Sequence, residues 1–79
     1  MKIQVLGVGC DKCDTLYEHV TEAVENLGIA AEIEKVEDLM EIVKLGVLEA
    51  PALAVDGKVL LRGRVPKTKE LEKLLQKNL

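Results

Sequence analysis

The spacing of apolar residues along this chain predicts an α/β fold in the order β-α-β-α-β-β-α, with a four-stranded mixed sheet and helices on both of its faces. Two strand-length apolar runs in the first half are each followed by a run with helical spacing. In the second half, an Asp-Gly dipeptide joins two further strand-length runs, and a last helical run follows. A β-α-β unit requires a right-handed crossover between parallel strands, whereas a hairpin adds antiparallel strands, so the sheet is mixed.

The composition limits both the size of the core and the class of partner. The chain has 79 residues, which predicts one domain over residues 1–79, because a chain this short buries only about 60% of its unfolded surface. It has no Phe, no Trp and one Tyr, so it lacks the aromatic platform on which single-stranded nucleic acids stack. A formal charge of −3 also disfavours a phosphate backbone as partner. The expected partners are proteins or small molecules, not nucleic acid.

The N-terminal sequence predicts a cytoplasmic protein. Its apolar run is broken by Gln4 and Gly7, short of the roughly 7–15 apolar residues in the core of a signal peptide. No apolar run approaches the roughly 18 residues of a membrane-spanning helix, so no membrane association is expected. In a reducing compartment, two cysteines spaced Cys-x-x-Cys near a strand–helix junction favour redox or metal chemistry over a structural disulfide.

The first strand and helix are predicted from a change in apolar period. Residues 3–8 form a short, nearly continuous apolar run that stops at Gly7-Val8-Gly9, as expected for a strand buried on both faces. From residue 14 to residue 26 the period becomes three and four, which predicts an amphipathic helix with Gly28 as its C-terminal stop. The apolar positions of this helix are Leu16, Tyr17, Val20, Ala23, Val24 and Leu27.

A second strand and a short helix follow. Residues 29–36 alternate only in part, but they form a strand-length run between two helical segments, and we interpret them as the second strand. Asp38 is a plausible N-cap for the next helix and Gly46 a plausible stop. The helix is heavily apolar, with Leu39, Met40, Ile42, Val43, Leu45 and Val47 at helical spacing.

The second half predicts a hairpin and a last helix. Residues 52–55 and 58–61 flank Asp56-Gly57, a dipeptide that tolerates the positive φ angles of a type I′ turn. The last helix begins at Pro66 or Thr68. Its inward positions are Leu71, Leu74 and Leu75.

Both cysteines of the chain fall in one Cys-x-x-Cys unit at the end of the first strand, where ligands and chemistry collect in sheets of this kind. Residues three apart on a helix return to within roughly 60° of each other, so the two sulfurs can meet. If Cys10 lies at the start of the helix, the unpaired N–H groups and the helix dipole favour its thiolate. Cys13, one turn further on, is expected to be the more sheltered partner.

With these elements in place, the sequence resembles the thioredoxin/glutaredoxin superfamily, and most closely its very small archaeal and bacterial thioredoxin-like members, over nearly the whole chain. Three segments carry the resemblance: Gly9-Cys10-Asp11-Lys12-Cys13, Ala50-Pro51-Ala52-Leu53 and Val55-Asp56-Gly57-Lys58. The resemblance implies that Cys10 is the attacking cysteine and Cys13 the resolving one. It further implies that Pro51 is a cis-proline which, with Ala50, faces the disulfide and binds the substrate strand.

The resemblance therefore implies a thiol-disulfide oxidoreductase that reduces disulfide-containing proteins. It would need no cofactor, act as a monomer and receive electrons from a donor of the thioredoxin-reductase type. The sequence also departs from the common signatures, because no Trp precedes Cys10 and neither Gly-Pro nor Pro-Tyr separates the cysteines. Ala50 stands where many relatives carry Thr or Val, and a clear glutathione-binding set is missing.

A metal carrier is the alternative function. The stretch 7–13 also looks like the loop of heavy-metal-associated copper carriers, and two thiolates suit Cu(I) or Zn. Those domains usually have a Met where this chain has Val8, and their element order is β-α-β-β-α-β. His19 is not expected to be a third ligand, because it lies about 240° around the helix from Cys13.

The charges beside the cysteines predict the direction of redox poise. The helix N-terminus and Lys12 favour a thiolate at Cys10, whereas Asp11 and Asp14 oppose it. Because strong oxidants of this superfamily owe their potential to a very stable thiolate, two nearby carboxylates predict a reductant. Tyr17 is expected to pack on the face of Cys13, and the remaining acidic residues to be plain surface.

Overall fold

The computed structural model describes residues 1–8 and 11–79, so Gly9 and Cys10 lie outside the described residues. The element order is β-α-β-α-β-β-α, as predicted. The elements are β1 (Lys2–Leu6), α1 (Asp11–Leu27), β2 (Glu32–Val36), α2 (Leu39–Lys44), β3 (Ala52–Val55), β4 (Lys58–Arg62) and α3 (Thr68–Gln76). The strands form one four-stranded sheet in the order β2-β1-β3-β4. β1 is parallel to β2 and antiparallel to β3, and β3 is antiparallel to β4, which confirms the mixed sheet.

Some predicted bounds are wrong by a few residues. β1 ends at Leu6, and Val8, predicted to extend it, is 56% exposed. α1 begins at Asp11, before the predicted start, because carboxylates are favourable in the first turn of a helix and need no apolar period to be there. β2 begins only at Glu32, since the chain uses residues 29–31 to return from α1 to the sheet edge.

Helices cover both faces of the sheet, as predicted, and each face has its own core. The larger core lies between the sheet and the pair α1 and α3; its fully buried members include Ile3, Leu16, Leu53, Leu71 and Leu75. The smaller core lies under α2 and consists of Leu6, Val36, Ile42, Val47, Ala52 and Ala54. Adjacent residues of β1 thus face opposite cores, in keeping with the alternation of side chains along a strand.

The hairpin turn fixes the strand register next to β1. Asp56 and Gly57 have φ values of 49° and 85°, both positive as a type I′ turn requires, which confirms the predicted turn. The Asp56 carboxylate accepts a hydrogen bond from the main-chain N–H of Lys2 at 2.9 Å, and the Asp56 N–H donates to the Lys2 carbonyl at 2.8 Å. The turn is therefore tied directly to the start of β1.

The three helices of the described residues differ in how they use their apolar side chains. α1 and α3 bury one stripe each against the larger core. α2 is capped by Asp38, whose carboxylate accepts from the Met40 N–H at 2.9 Å, as predicted, but buries only Ile42. Within residues 1–8 and 11–79, no helix combines the length and the apolar character needed to cross a bilayer.

The order of elements in the second half of the chain distinguishes between the two Cys-x-x-Cys families that the sequence resembles. A hairpin follows α2, and the last described element is the helix α3. The copper carriers instead run β-α-β-β-α-β. The fold agrees with the thioredoxin-like prediction and not with the copper-carrier order.

Replacing Leu16 by Ala should destabilise the protein by about 2–5 kcal/mol, because deleting a buried leucine loses transfer free energy and leaves a cavity. Leu16 is 0% exposed at the centre of the larger core. Urea unfolding measures the change. Leu39→Ala is the matched control: this leucine is 63% exposed, so its loss should change stability by less than about 0.5 kcal/mol. Equal costs for the two variants would contradict this description of the core.

Candidate active site

Three parts of the chain converge at the C-terminal end of β1: the strand end at Leu6 and Gly7, the first turn of α1, and the loop before β3 that contains Ala50 and Pro51. Gly7 is buried and its N–H donates to the carbonyl of Val36 at 3.0 Å. This hydrogen bond continues the parallel pairing of β1 and β2 by one residue beyond Leu6. Cys10 lies outside the described residues, and in sequence it directly precedes the first residue of α1.

Cys13 belongs to the first turn of α1 and is only 6% exposed, as expected for the inner cysteine of the motif. Its Sγ lies 4.0 Å from the carbonyl oxygen of Leu6, a distance at which a thiol acts as a weak donor. The sulfur also packs directly on Gly7, because a Cβ added there would overlap it. Cys13 is therefore held between its own helix and the end of β1.

The Ala50–Pro51 peptide bond is cis, as the resemblance predicted. Pro51 is buried and Ala50 is exposed. The Pro51 carbonyl accepts a hydrogen bond from the Gly63 N–H at 2.8 Å, which ties the loop to the end of β4. The predicted roles of Ala50 and Pro51 in substrate binding stay predictions.

A small cavity of about 130 Å³ opens beside the Cys13 sulfur. It lies between the first turn of α1 and the C-terminal ends of the parallel strands β1 and β2. Three carboxylates and one ammonium group border it, so the surroundings of Cys13 are charged on one side. The lining residues are Val5, Gly7, Asp11, Cys13, Asp14, Lys35 and Glu37.

Lys35 is a residue of this site that sequence reasoning missed. Its ammonium group forms an ion pair and hydrogen bond with Asp14 and lies 5.4 Å from the centre of the Tyr17 ring. The hydrogen bond to Asp14 raises the pKa of Lys35 above its ordinary value, and the negative charges of Asp14 and Glu37 raise it further. Lys35 therefore stays cationic through the neutral range. Only the parallel register, which places Lys35 opposite Val5, brings it to the cavity.

An apolar patch borders the loop before Pro51. We define the α2 patch as Val8, Leu39, Val43 and Leu48, each of them at least half exposed. With Glu49 and Ala50 they line a groove of about 240 Å³. The sequence contained a signal for this patch, since a short helix that is apolar on most sides cannot bury every apolar residue against one core.

His19 and Tyr17 both contact the rest of the fold. The Nδ1 atom of His19 lies 2.8 Å from the Pro66 carbonyl oxygen and donates to it, so the ring links α1 to the segment before α3. Tyr17 is half-buried against the larger core. In the part of the chain that the structure describes, to which Cys10 does not belong, no three His, Cys, Asp or Glu side chains are grouped as a metal site.

Comparison with known proteins agrees with the fold. A family model described as "Thioredoxin domain" matches residues 1–76. A protein of Methanothermobacter thermautotrophicus named "Thioredoxin" is 44% identical over 75 residues, which cover 95% of this chain and 97% of the relative. A protein of Methanocaldococcus jannaschii with the same name is 42% identical over 74 residues, which cover 94% of this chain and 85% of that protein.

Proposed function

The chain belongs to the thioredoxin domain family, which confirms the resemblance predicted from its motifs, and we propose that it is a thiol-disulfide oxidoreductase that reduces protein disulfides through Cys10 and Cys13. The observation that carries the proposal is the position of Cys13, buried in the first turn of α1 beside a cis Ala50–Pro51 bond. Both relatives carry the name "Thioredoxin", which supports this class of reaction.

The reaction begins with the Cys10 thiolate. It attacks one sulfur of a substrate disulfide, the substrate S–S bond breaks, and the other substrate sulfur leaves as a thiolate that takes a proton from solvent. Cys13 then loses its proton and attacks the Cys10 sulfur. The Cys10–Cys13 disulfide forms as the mixed disulfide breaks, and the second substrate thiol is released. Two electrons have moved from the dithiol to the substrate.

The proposed roles of the two cysteines, one attacking and one resolving, follow from burial and from position relative to α1. Cys13 is a buried residue, only 6% exposed, which hinders access by a protein substrate and suits it to an internal second step. Cys10 directly precedes α1, where unpaired N–H groups and the positive end of the dipole stabilise a thiolate. The first attack is therefore assigned to Cys10.

The substrate binds across the loop at Ala50 and Pro51. Pro51 has no N–H, and its carbonyl accepts a hydrogen bond from Gly63. Ala50 is exposed, so its main-chain groups are the ones with which an extended peptide would pair. The α2 patch offers apolar contact next to it. We further propose that the protein acts in the cytoplasm as a monomeric single domain, without a cofactor, and that a donor of the thioredoxin-reductase type returns it to the dithiol form.

The purified protein should reduce a disulfide-containing protein when a small dithiol regenerates it, and Cys10→Ser/Cys13→Ser should reduce the rate to that of the dithiol alone. Met40→Ala is the matched control, because Met40 is exposed on α2 and does not line the cavity beside Cys13. Failure of the wild type to cycle between dithiol and disulfide, with tight binding of Cu(I) through two sulfurs, would replace the redox proposal by the metal-carrier function.

A further inference from the structure

Gly7 has no conformational reason to be glycine. Four glycines of the described chain have positive φ angles, at positions 28, 46, 57 and 63, and Gly7 is not one of them. It continues the pairing of β1 with β2, where every L residue has an allowed backbone. A glycine at such a position costs conformational entropy and contributes no side chain to the core. Some other requirement therefore keeps the position free of a side chain.

The requirement is space for the Cys13 sulfur. An ideal Cβ on Gly7 would overlap Sγ of Cys13, and it would lie 3.5 Å from Cβ of the same cysteine and 3.7 Å from Cβ of Ala50. The last two distances are ordinary van der Waals contacts. Among the atoms of the described residues, the sulfur alone occupies the place that a methyl group would take. Neither backbone can yield easily, because Gly7 is hydrogen-bonded to Val36 and Cys13 lies within α1.

We propose that Gly7 is the positioning residue of Cys13: the missing Cβ lets the sulfur lie against the end of β1, the position from which it resolves the mixed disulfide on Cys10. This inference rests on the proposed exchange reaction and concerns its second step alone. A methyl group at Gly7 displaces the Cys13 sulfur, which takes no part in the attack of Cys10 on the substrate. The attack on the substrate is then unchanged, and the resolution of the mixed disulfide is slowed.

The two steps separate in one experiment with a symmetrical nitroaromatic disulfide, whose released thiolate is coloured. Attack by reduced Cys10 releases one aromatic thiolate and leaves the other on Cys10; attack by Cys13 on Cys10 releases the second and forms the Cys10–Cys13 disulfide. In a stopped-flow record of Gly7→Ala, we expect the first phase at about the wild-type rate and the second slower by roughly tenfold to a hundredfold, as for a reacting group displaced by about 1 Å.

Gly57→Ala is the matched control for a general loss of stability. Gly57 has a φ of +85°, and an added Cβ there meets no described atom within 4 Å beyond its chain neighbours, so the variant is strained without touching the site. Both of its phases should match the wild type. Equal second phases in Gly7→Ala and the wild type would overturn the inference, whereas a wild type without a second phase would overturn the proposed exchange reaction itself.

Stability provides a test that does not depend on activity. Gly7→Ala should lower the urea midpoint, or prevent folding, when Cys13 is present, and should cost clearly less in the Cys13→Ala background, where the sulfur is gone. Additive costs in this double-mutant cycle would mean that the methyl group collides with something other than the sulfur, and would overturn the inference.

Discussion

Cys13→Ser is expected to stop turnover after the first step and to leave the substrate attached to Cys10. In the proposed exchange, Cys13 attacks the mixed disulfide from within the same molecule, and such an intramolecular attack outruns any external thiol at millimolar concentration. A serine hydroxyl of nearly the same size keeps the packing on Gly7 but does not displace a thiol from a disulfide. Reductase activity should therefore fall to the level of the Cys10→Ser/Cys13→Ser protein.

Gel electrophoresis without reductant measures this directly. Cys13→Ser should form covalent complexes with disulfide-containing proteins, which a dithiol releases, and mass spectrometry should locate the link at Cys10. Cys10→Ser is the control, since buried Cys13 should capture nothing. The reverse pattern, with complexes formed by Cys10→Ser alone, would contradict the assignment of the attacking cysteine.

The element order was predictable because its signals are local. The Asp56-Gly57 dipeptide specifies a hairpin turn through the φ angles of two residues, and Asp38 caps α2 through a contact with Met40, two positions away. The change in apolar spacing that distinguishes a strand from a helix can be detected within the sequence of a single element. The Cys-x-x-Cys unit belongs to the same class of signal, and its place after β1 was therefore evident before any tertiary contact was known.

The rest of the site depends on contacts between residues that are far apart in the sequence. Lys35 reaches the cavity beside Cys13 only through the register of β1 with β2 and its ion pair with Asp14, 21 positions away. The sequence pattern indicates only that a strand stops at Gly7, whereas in the structure a side chain at this position would overlap the Cys13 sulfur. The apolar spacing predicts that α2 is a helix, but it does not show which of its apolar residues are buried. A helix of six residues covers only a small part of the sheet, so only Ile42 of α2 is buried.

The charges around the cavity beside Cys13 predict a reducing redox potential, which two substitutions should shift in opposite directions. Carboxylates of Asp11, Asp14 and Glu37 border the cavity against a single ammonium group, that of Lys35. If Cys10 and Cys13 form the proposed redox pair, these carboxylates disfavour the thiolate of the reduced form and so favour the disulfide. We expect a potential closer to about −270 mV, as in thioredoxin, than to about −120 mV, as in DsbA.

Asp11→Asn removes a negative charge next to Cys10, stabilises the thiolate of the reduced form and should make the protein more oxidising. The interaction of two unit charges a few ångströms apart at a solvent-exposed protein surface is worth roughly 1 kcal/mol, which corresponds to a shift in the redox potential of up to about 20 mV. Lys35→Gln removes the cation and should make the protein more reducing. Because the hydrogen bond with Asp14 raises the pKa of Lys35, its charge is present at every pH at which the titration is run.

A glutathione redox titration measures all three potentials, and both shifts should shrink as salt screens the charges. Glu25→Gln is the matched control, because it removes one carboxylate from the same helix about 21 Å beyond Asp11, more than twice the Debye length at physiological salt. Its potential should equal that of the wild type. A wild-type potential above about −200 mV, the upper end of the glutaredoxin range, would contradict the predicted poise. Shifts of the same sign for Asp11→Asn and Lys35→Gln would show that local packing, and not the charge at the cavity, sets the potential.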